Sequence, residues 1–323
     1  MTIEKLPSGK WRVKQMIKGK YISVTVPYKP SEKKAFELIQ AERNHIVDTS
    51  MDFKTASEQY LAVKKRVLSP STLRGYEVMQ KGIPEWFNRL DIFQIGNYEM
   101  QKVISEYAID HSPKSTSNLY GFIRAVIRLF IPEVAYSITL PQKVRKEPYT
   151  PSVDDVKSIL KAADGTPYYV PIYLAMLSLR NSEICALTIF DLKDDMLTIN
   201  KAKVRGSDGY VVKPTAKTDK SNRTIRIPHA LAERIRQQGY IYEGYPLQID
   251  KFLTRTQKEL KIPHFGIHRL RHFFASYSHE QGYSDAVIQA VGGWSSDHVM
   301  KSVYRHALNK DEAIAKIASD FDF

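Results

Sequence analysis

One cysteine, Cys185, is all that the 323 residues contain. That excludes an intrachain disulfide framework and a multi-cysteine zinc site. Long apolar runs are missing as well. The longest uncharged stretch, around Tyr168 to Leu179, falls short of the roughly 20 residues a bilayer-spanning helix needs. The opening MTIEKLPSGKWRVK lacks the apolar centre of a secretory signal, so a soluble, cytoplasmic protein is expected. No GxxxxGK[ST] loop occurs, which argues against ATP use, and neither a fixed repeat nor a low-complexity tract is present. Acidic residues are in deficit: 35 Asp+Glu against 48 Lys+Arg leave a formal charge of +13. A charge of that sign points to an anionic partner, and it fits nucleic acid and a membrane surface alike.

What is there is the material of folded domains, with 43% apolar and 26% charged residues. The length suggests two or three domains at roughly 100–200 residues each. Three modules are expected. Residues 1–50 carry ten Lys/Arg against five acids. Within them Trp11–Ile17 and Tyr21–Val26 read as strands around a Lys18-Gly19-Lys20 turn. Ser31 then caps a helix running to about Val47, with Ala35, Phe36, Ile39 and Ile46 near one face. Residues 51–146 read as helical, over Phe53–Val67, Ser71–Lys81, Asn97–His111 and Ser115–Phe130, separated by Pro- and Gly-containing turns. The basic, proline-bracketed stretch Pro141–Pro151 is an extended linker, because proline disfavours helix in the residue before it. Residues 147–323 alternate. Ser152 and Asp155 form a capping box for Val153–Ala163, followed by helices at Tyr168–Leu179 and Ser182–Leu187. Strands are expected at Met196–Lys203, Tyr210–Lys213 and Arg223–Ile227, with helices again from Ala230.

Four segments of the third module stand out together: Arg180-Asn-Ser-Glu183 opening an apolar helix, Ala216-Lys217-Thr218 before a strand, His268-Arg-Leu-Arg271-His272, and Gly292-Gly-Trp294 followed by Tyr304-Arg-His306. In this order and spacing they resemble the tyrosine recombinase (phage integrase) family, whose pattern runs Arg, Lys, His-x-x-Arg, His or Trp, Tyr. The resemblance covers the third module and, more loosely, the helical module, which is similar to a core-site DNA-binding domain. The first module looks like an arm-type DNA-binding domain.

The residue types have physical reasons of their own. Transesterification at a phosphodiester builds negative charge on the nonbridging and leaving oxygens. Two arginines fork onto such oxygens in a geometry a lysine does not reproduce. Arg180 and Arg271 are the candidates, although each taken singly is as consistent with an ordinary salt bridge. Glu183, three residues after Arg180, either holds its guanidinium or makes a plain helix-surface pair. His268 shares a helix face with Arg271, and its ordinary pKa near neutrality suits proton transfer. Arg269 and His272 project elsewhere and are assigned to packing or DNA backbone contact. Trp294 stands where many relatives carry histidine. Its indole N–H donates to an oxygen but is neither acid nor base, and packing on the following helix is the other reading.

The resemblance further implies that Lys217, rather than its neighbours Lys213 and Lys220, protonates the leaving 5′-hydroxyl. It implies that Tyr304 is the nucleophile, with His306 supporting. Basic residues of the first module and the linker (Arg12, Lys14, Lys143, Arg145 and Lys146) are expected on DNA. A two-metal nuclease is disfavoured, since the acidic pairs Asp154-Asp155 and Asp194-Asp195 lie in a helix cap and a turn. The expectation is therefore a multidomain, mainly α protein with small β-sheets: a sheet-plus-helix module, a helical core-binding domain and a mixed α+β catalytic domain. The last two are expected to form a C-shaped clamp on double-stranded DNA. It would act as an integrase in a bacterial host through a 3′-phosphotyrosine, without cofactor or metal. Its expected partners are attachment-site DNA, further copies in a homotetramer, and an excisionase or DNA-bending protein. A Xer-type resolvase, a type IB topoisomerase-like relaxing enzyme and a catalytically silent DNA-binding regulator on the same scaffold are the rivals. Residues 1–50 argue against the first, and the full residue set argues against the last.

Overall fold

Three strands open the chain where the sequence predicts two. The computed structural model describes residues 1–17, 20–48, 50–142, 149–214 and 222–294. In it β1 (Thr2–Lys5), β2 (Trp11–Ile17) and β3 (Lys20–Val26) form an antiparallel sheet in sequential order. The added strand pairs Ile3 with Val13 and Glu4 with Arg12. Four residues are too few for alternation to announce a strand. Helix α1 (Glu32–Asp48) follows, with Ser31 Oγ accepting the Lys34 N–H at 3.3 Å. Ala35 and Ile39 join Val13 and Ile22 in a small apolar cluster on one sheet face. Phe36, expected beside them, is instead 52% exposed. One helical step from Ala35 turns it about 100° off the buried stripe.

Helices α2 (Phe53–Lys64), α3 (Pro70–Lys81), α4 (Glu85–Asn88), α5 (Asn97–Ala108) and α6 (Pro113–Phe130) build a second cluster. Their starts follow from capping: Asp52, Ser69 and Ser112 accept the N–H groups of Thr55, Thr72 and Ser115. Pro70 and Pro113 occupy first helical positions, where the missing N–H has no intrahelical partner to lose. That is why α3 and α6 begin one and two residues before the predicted Ser71 and Ser115. In α6, Leu119, Phe122, Ile123, Val126 and Ile127 are fully buried at helical spacing. Burial of each such side chain stabilises by about 1.5–3 kcal/mol. Residues Met1–Val144 make one compact unit, and its two apolar clusters remain separate.

The second unit is Arg145–Phe323. Helix α7 (Val153–Ala163) opens on the predicted Ser152–Asp155 capping box. Helix α8 (Tyr169–Met176) is apolar on every side and buries Val170, Ile172, Leu174 and Ala175. It stops short of the predicted Leu179 because Ser178 adopts φ 75°, and the chain turns straight into α9 (Asn181–Ile184), a single turn rather than Ser182–Leu187. The strand predicted over Met196–Lys203 is two strands. β5 (Met196–Ile199) lies between β4 (Leu192–Lys193) and β8 (Arg223–Arg226), whereas β6 (Lys201–Arg205) forms a separate hairpin with β7 (Tyr210–Pro214). The buried positions explain the break: Leu197 and Ile199 are odd-numbered and Ala202 is even, so inward alternation changes phase at Asn200. Helices α10 (His229–Gln238), α11 (Pro246–Glu259), α12 (His268–Glu280) and α13 (Asp285–Gly292) complete the unit. The architecture is thus mainly helical with small antiparallel sheets. No helix among the described residues is long and apolar enough to cross a membrane.

Candidate active site

The end of α8 sets the first functional side chain. Ser178 in the left-handed region lets its own N–H and that of Leu179 close on Ala175 and Leu174 carbonyls. A non-glycine residue there stores roughly 1–3 kcal/mol of strain. The turn leaves Arg180 extended as the N-cap of α9. Its backbone N–H donates to Glu183 Oε2 at 2.9 Å and its Nη1 to Glu183 Oε1 at 2.6 Å. Glu183 is 1% exposed, so the pair is not a surface ornament. The carboxylate is shared with a residue the sequence analysis passed over. Arg223, in β8, donates Nη2 to Glu183 Oε2 at 3.0 Å and Nη1 to Oε1 at 3.4 Å. Burial pushes the Glu183 pKa up, but Arg223 and then Arg180 outweigh it, and the net direction is down. Alternation could have revealed Arg223: it shares the inward face of its strand with buried Ile225.

Helix α13 supplies the other half of the site through its last carbonyls. Val291 O accepts from Arg223 Nε at 2.9 Å, Gly292 O from Arg271 Nη2 at 3.0 Å, and Gly293 O from Arg180 Nη2 at 3.2 Å. Unsatisfied carbonyls and the negative end of the helix dipole both favour cations there. The two glycines are required. A Cβ on Gly292 would lie 1.7 Å from a Trp294 ring carbon, and Gly293 has φ 64° with Arg223 Nη1 only 2.8 Å from the Cβ position.

Arg271, in the first turns of α12, is 1% exposed. It also donates to the Ser178 carbonyl and lies over the Trp294 ring, 4.8 Å from its centroid. Its Nε and the Ser178 hydroxyl have no hydrogen-bond partner among the described residues. Burial first, and Arg180 next, push the Arg271 pKa down to about 9. The guanidinium stays charged at neutral pH, but its charge is poorly compensated. Among the described residues, one carboxylate against three guanidiniums leaves two positive charges unmatched. Such a cluster is built to take an anion, and Arg180, 38% exposed, is its open side.

His268 begins α12 and remains exposed. Crowding by protein atoms, then Arg271, Arg180 and Arg269, push its pKa below the ordinary value. His272, one turn on, is pushed to about 4 by burial and then Arg269. Its Nδ1 accepts from Arg269 Nη1 at 2.9 Å. Arg269 is spoken for structurally, donating to Tyr149 O at 3.0 Å and Thr150 Oγ1 at 2.6 Å; it ties the end of the linker to α12. A pH dependence follows. With a folded pKa near 4 and an unfolded one near 6.5, His272 binds more protons in the unfolded chain between those values. Its stabilising contribution is therefore complete above about pH 6.5 and is lost as pH falls towards 4. His268 acts with the same sign. Melting temperatures measured from pH 7 to pH 4 are expected to fall, and His272→Gln, which keeps an acceptor, is expected to flatten the slope. An unchanged slope in that variant would count against the neutral, half-buried imidazole.

Of the residues singled out from sequence, Arg180, Glu183, Arg271 and Trp294 meet directly, and His268 stands close enough to feel both arginines. Trp294 is 7% exposed, stacked on Phe274 as well as under Arg271, so the packing reading describes its ring. Lys213 lies in β7 opposite Ala202. Lys217, Lys220, Tyr304, His306, Lys143, Arg145 and Lys146 lie outside the described residues. Arg12 and Lys14 project from β2 on the face away from Val13, and Glu4 pairs with both, at 3.8 and 2.9 Å. The acidic pairs are engaged locally: Asp155 with Ser152 and Tyr149, and Asp195 with His229. Among the described residues no group of three or more His, Cys, Asp or Glu is placed to hold a metal ion.

Residues 152–311 match the family profile described as Phage integrase family. No curated protein matches the chain by sequence. Among solved structures, the Tn1549 transposon integrase in complex with transposon right end DNA is similar over 83% of this chain and 99% of its own, with 17% identity and a TM-score of 0.68. A lambda integrase dimer bound to a COC′ core site is similar over 94% of each chain, at 17% identity and a TM-score of 0.61. A lambda integrase tetramer bound to a Holliday junction covers 93% of this chain and 94% of its own, at 16% identity and 0.62. At these identities the likeness is one of fold.

Proposed function

The chain belongs to the phage integrase family, the tyrosine recombinases, through residues 152–311, and from that premise we propose that it is a site-specific integrase. It cuts and rejoins double-stranded DNA to move a mobile genetic element into and out of a larger DNA. The observation that carries this reading is the buried arginine cluster, with Arg180 and Arg271 on neighbouring carbonyls of α13 and more positive charge than Glu183 neutralises. A phosphodiester supplies the missing anion, held by bidentate donors.

In this reading the Tyr304 phenol gives its proton to the neutral His268 imidazole, and its oxygen forms a bond to the scissile phosphorus as the bond to the 5′-oxygen breaks. Lys217 delivers a proton to that leaving oxygen, and His268 assists proton transfer at the phosphate. Arg180 and Arg271 hold the nonbridging oxygens, and the Trp294 N–H adds a donor. Attack by a 5′-hydroxyl from a partner strand reverses the step. The phosphotyrosine conserves the bond energy, so no nucleotide is consumed. Residues 51–146 grip the core site, residues 147–323 perform the chemistry, and the basic linker residues Lys143, Arg145 and Lys146 contact the DNA backbone. The solved relatives on DNA as a dimer and a tetramer support a homotetramer on paired sites, assembled in the cytoplasm of a bacterial host. An excisionase or DNA-bending protein is a further expected partner.

Two experiments test the reading. Incubation with duplexes tiled across the DNA flanking its gene is expected to trap an SDS-resistant adduct at one short site, leaving a free 5′-hydroxyl. Absence of an adduct on every such duplex, nicked or intact, would sink the proposal. The second concerns the open face of the first sheet, where Arg12, Lys14 and Tyr21 stand exposed or half-buried. A small β-sheet face of this kind enters the major groove. Deleting residues 1–50 is expected to leave core-site cleavage within about threefold while integration falls tenfold or more, since contacts at a separate site add avidity rather than chemistry. Equal loss of both would place the module in the core complex instead.

A further inference from the structure

The third arginine of the cluster has a place in the catalytic design that its chemistry and contacts define. We infer that Arg223 is a positioning residue for the strand-transfer reaction: it holds one side of the Glu183 carboxylate and the end of α13 so that Arg180 is presented, half-open, to the phosphate. This deepens the integrase reading and rests on it.

Three observations carry the inference. First, each of the three guanidinium nitrogens of Arg223 already donates to a protein oxygen, whereas Arg271 Nε has no partner among the described residues. Its Nε is on Val291 O, and its Nη1 and Nη2 are on the two oxygens of Glu183. Its side chain is 6% exposed, against 38% for Arg180. Second, the Glu183 carboxylate is divided between the two arginines, each oxygen taking one bond from Arg180 and one from Arg223. A buried carboxylate with a single cation partner draws that cation fully onto itself, or takes up a proton. With Arg223 as a second partner, Glu183 keeps its charge, and Arg180 keeps unsatisfied donors for an incoming anion. Third, Arg223 closes the loop from the other side. It binds the carbonyl of Val291, two residues before the carbonyl that Arg180 uses. The two places that hold Arg180, the Glu183 carboxylate and the end of α13, are thus each also bound by Arg223.

The test is a double-mutant cycle on single-turnover cleavage of a nicked core duplex at saturating protein, at a temperature where melting curves show every variant folded. Arg223→Gln is expected to lower the saturated cleavage rate about tenfold, mid-range for coupled neighbours, with duplex affinity changed less than about twofold. Arg223→Lys, which restores charge but not the two-pronged geometry, is expected between the two. In an Arg180→Ala background, Arg223→Gln is expected to add less than about threefold, because the residue acts through Arg180. A full additional tenfold loss in that background, or a wild-type rate for Arg223→Gln alone, overturns the positioning role. A wild-type protein that forms no adduct defeats the integrase reading itself, and so is distinguishable from either outcome.

Discussion

Tyr304→Phe is expected to bind its core duplex with unchanged affinity and to form no SDS-resistant adduct at all. The substitution removes one oxygen and little else, so phosphate and groove contacts persist while the bond to phosphorus has no atom to form it. The effect is categorical because no neighbouring group substitutes. His306 lacks a hydroxyl, and the residues between Trp294 and Tyr304 include Ser295, Ser296 and Ser302, whose alcohols leave poorly as alkoxides compared with a phenol of pKa near 10. Gel electrophoresis in SDS with 5′-labelled duplex reads the adduct, and filter binding on the same protein reads affinity. An adduct surviving in the phenylalanine variant would remove Tyr304 from the role and reopen the search among the 19 tyrosines.

The second large effect belongs to the arginines, and the two are expected to differ in kind. Arg180→Ala should lower the cleavage rate about 10²–10³-fold, or roughly 3–4 kcal/mol of barrier, the usual consequence of losing one preorganised donor to developing charge. Its side chain is 38% exposed and Glu183 retains Arg223, so the fold should be nearly indifferent. Arg271→Ala should lose at least as much activity and should also lower the melting temperature. It empties the largest fully buried side-chain volume among the described residues and strands the Ser178 and Gly292 carbonyls without donors, each stranded group costing about 1–3 kcal/mol. Core-site affinity should survive in both, because most phosphate contacts lie elsewhere. Near-wild-type strand exchange from either variant would break the assignment. Equal stability of the two variants would contradict the burial of Arg271.

How far the sequence leads can be followed residue by residue. Helices with strong caps were legible: α7 begins and ends where Ser152 and its apolar spacing place it, and α6 needed only the shift to Pro113. Boundaries failed where a single backbone conformation decides them. Nothing in the letters around Ser178 says that a serine will take φ 75° and end α8 early. The split of the strand at Asn200 was written in the alternation but masked by a continuous run of strand-forming residues. Among the site residues, Arg180, Glu183 and Arg271 come together because motif order carried information that composition does not. Arg223 was missed because an arginine on a short strand reads as solvated unless its inward parity is noticed. The acceptors were invisible for a deeper reason: carbonyls of Val291, Gly292 and Gly293 are common to every sequence, and only the helix end that aims them is particular.

That last feature bears on how such a protein tolerates inherited change. Side-chain acceptors are erased by one nucleotide substitution, whereas the three oxygens that seat Arg223, Arg271 and Arg180 belong to the main chain. Replacing Val291 by another residue leaves its oxygen in place. The vulnerability is displaced onto the glycines, where any side chain would enter the Trp294 ring or the Arg223 guanidinium. A lineage carrying this site is thus free to drift in the character of α13 and its outer face, and is confined at two adjacent codons whose residues contribute no side chain to it.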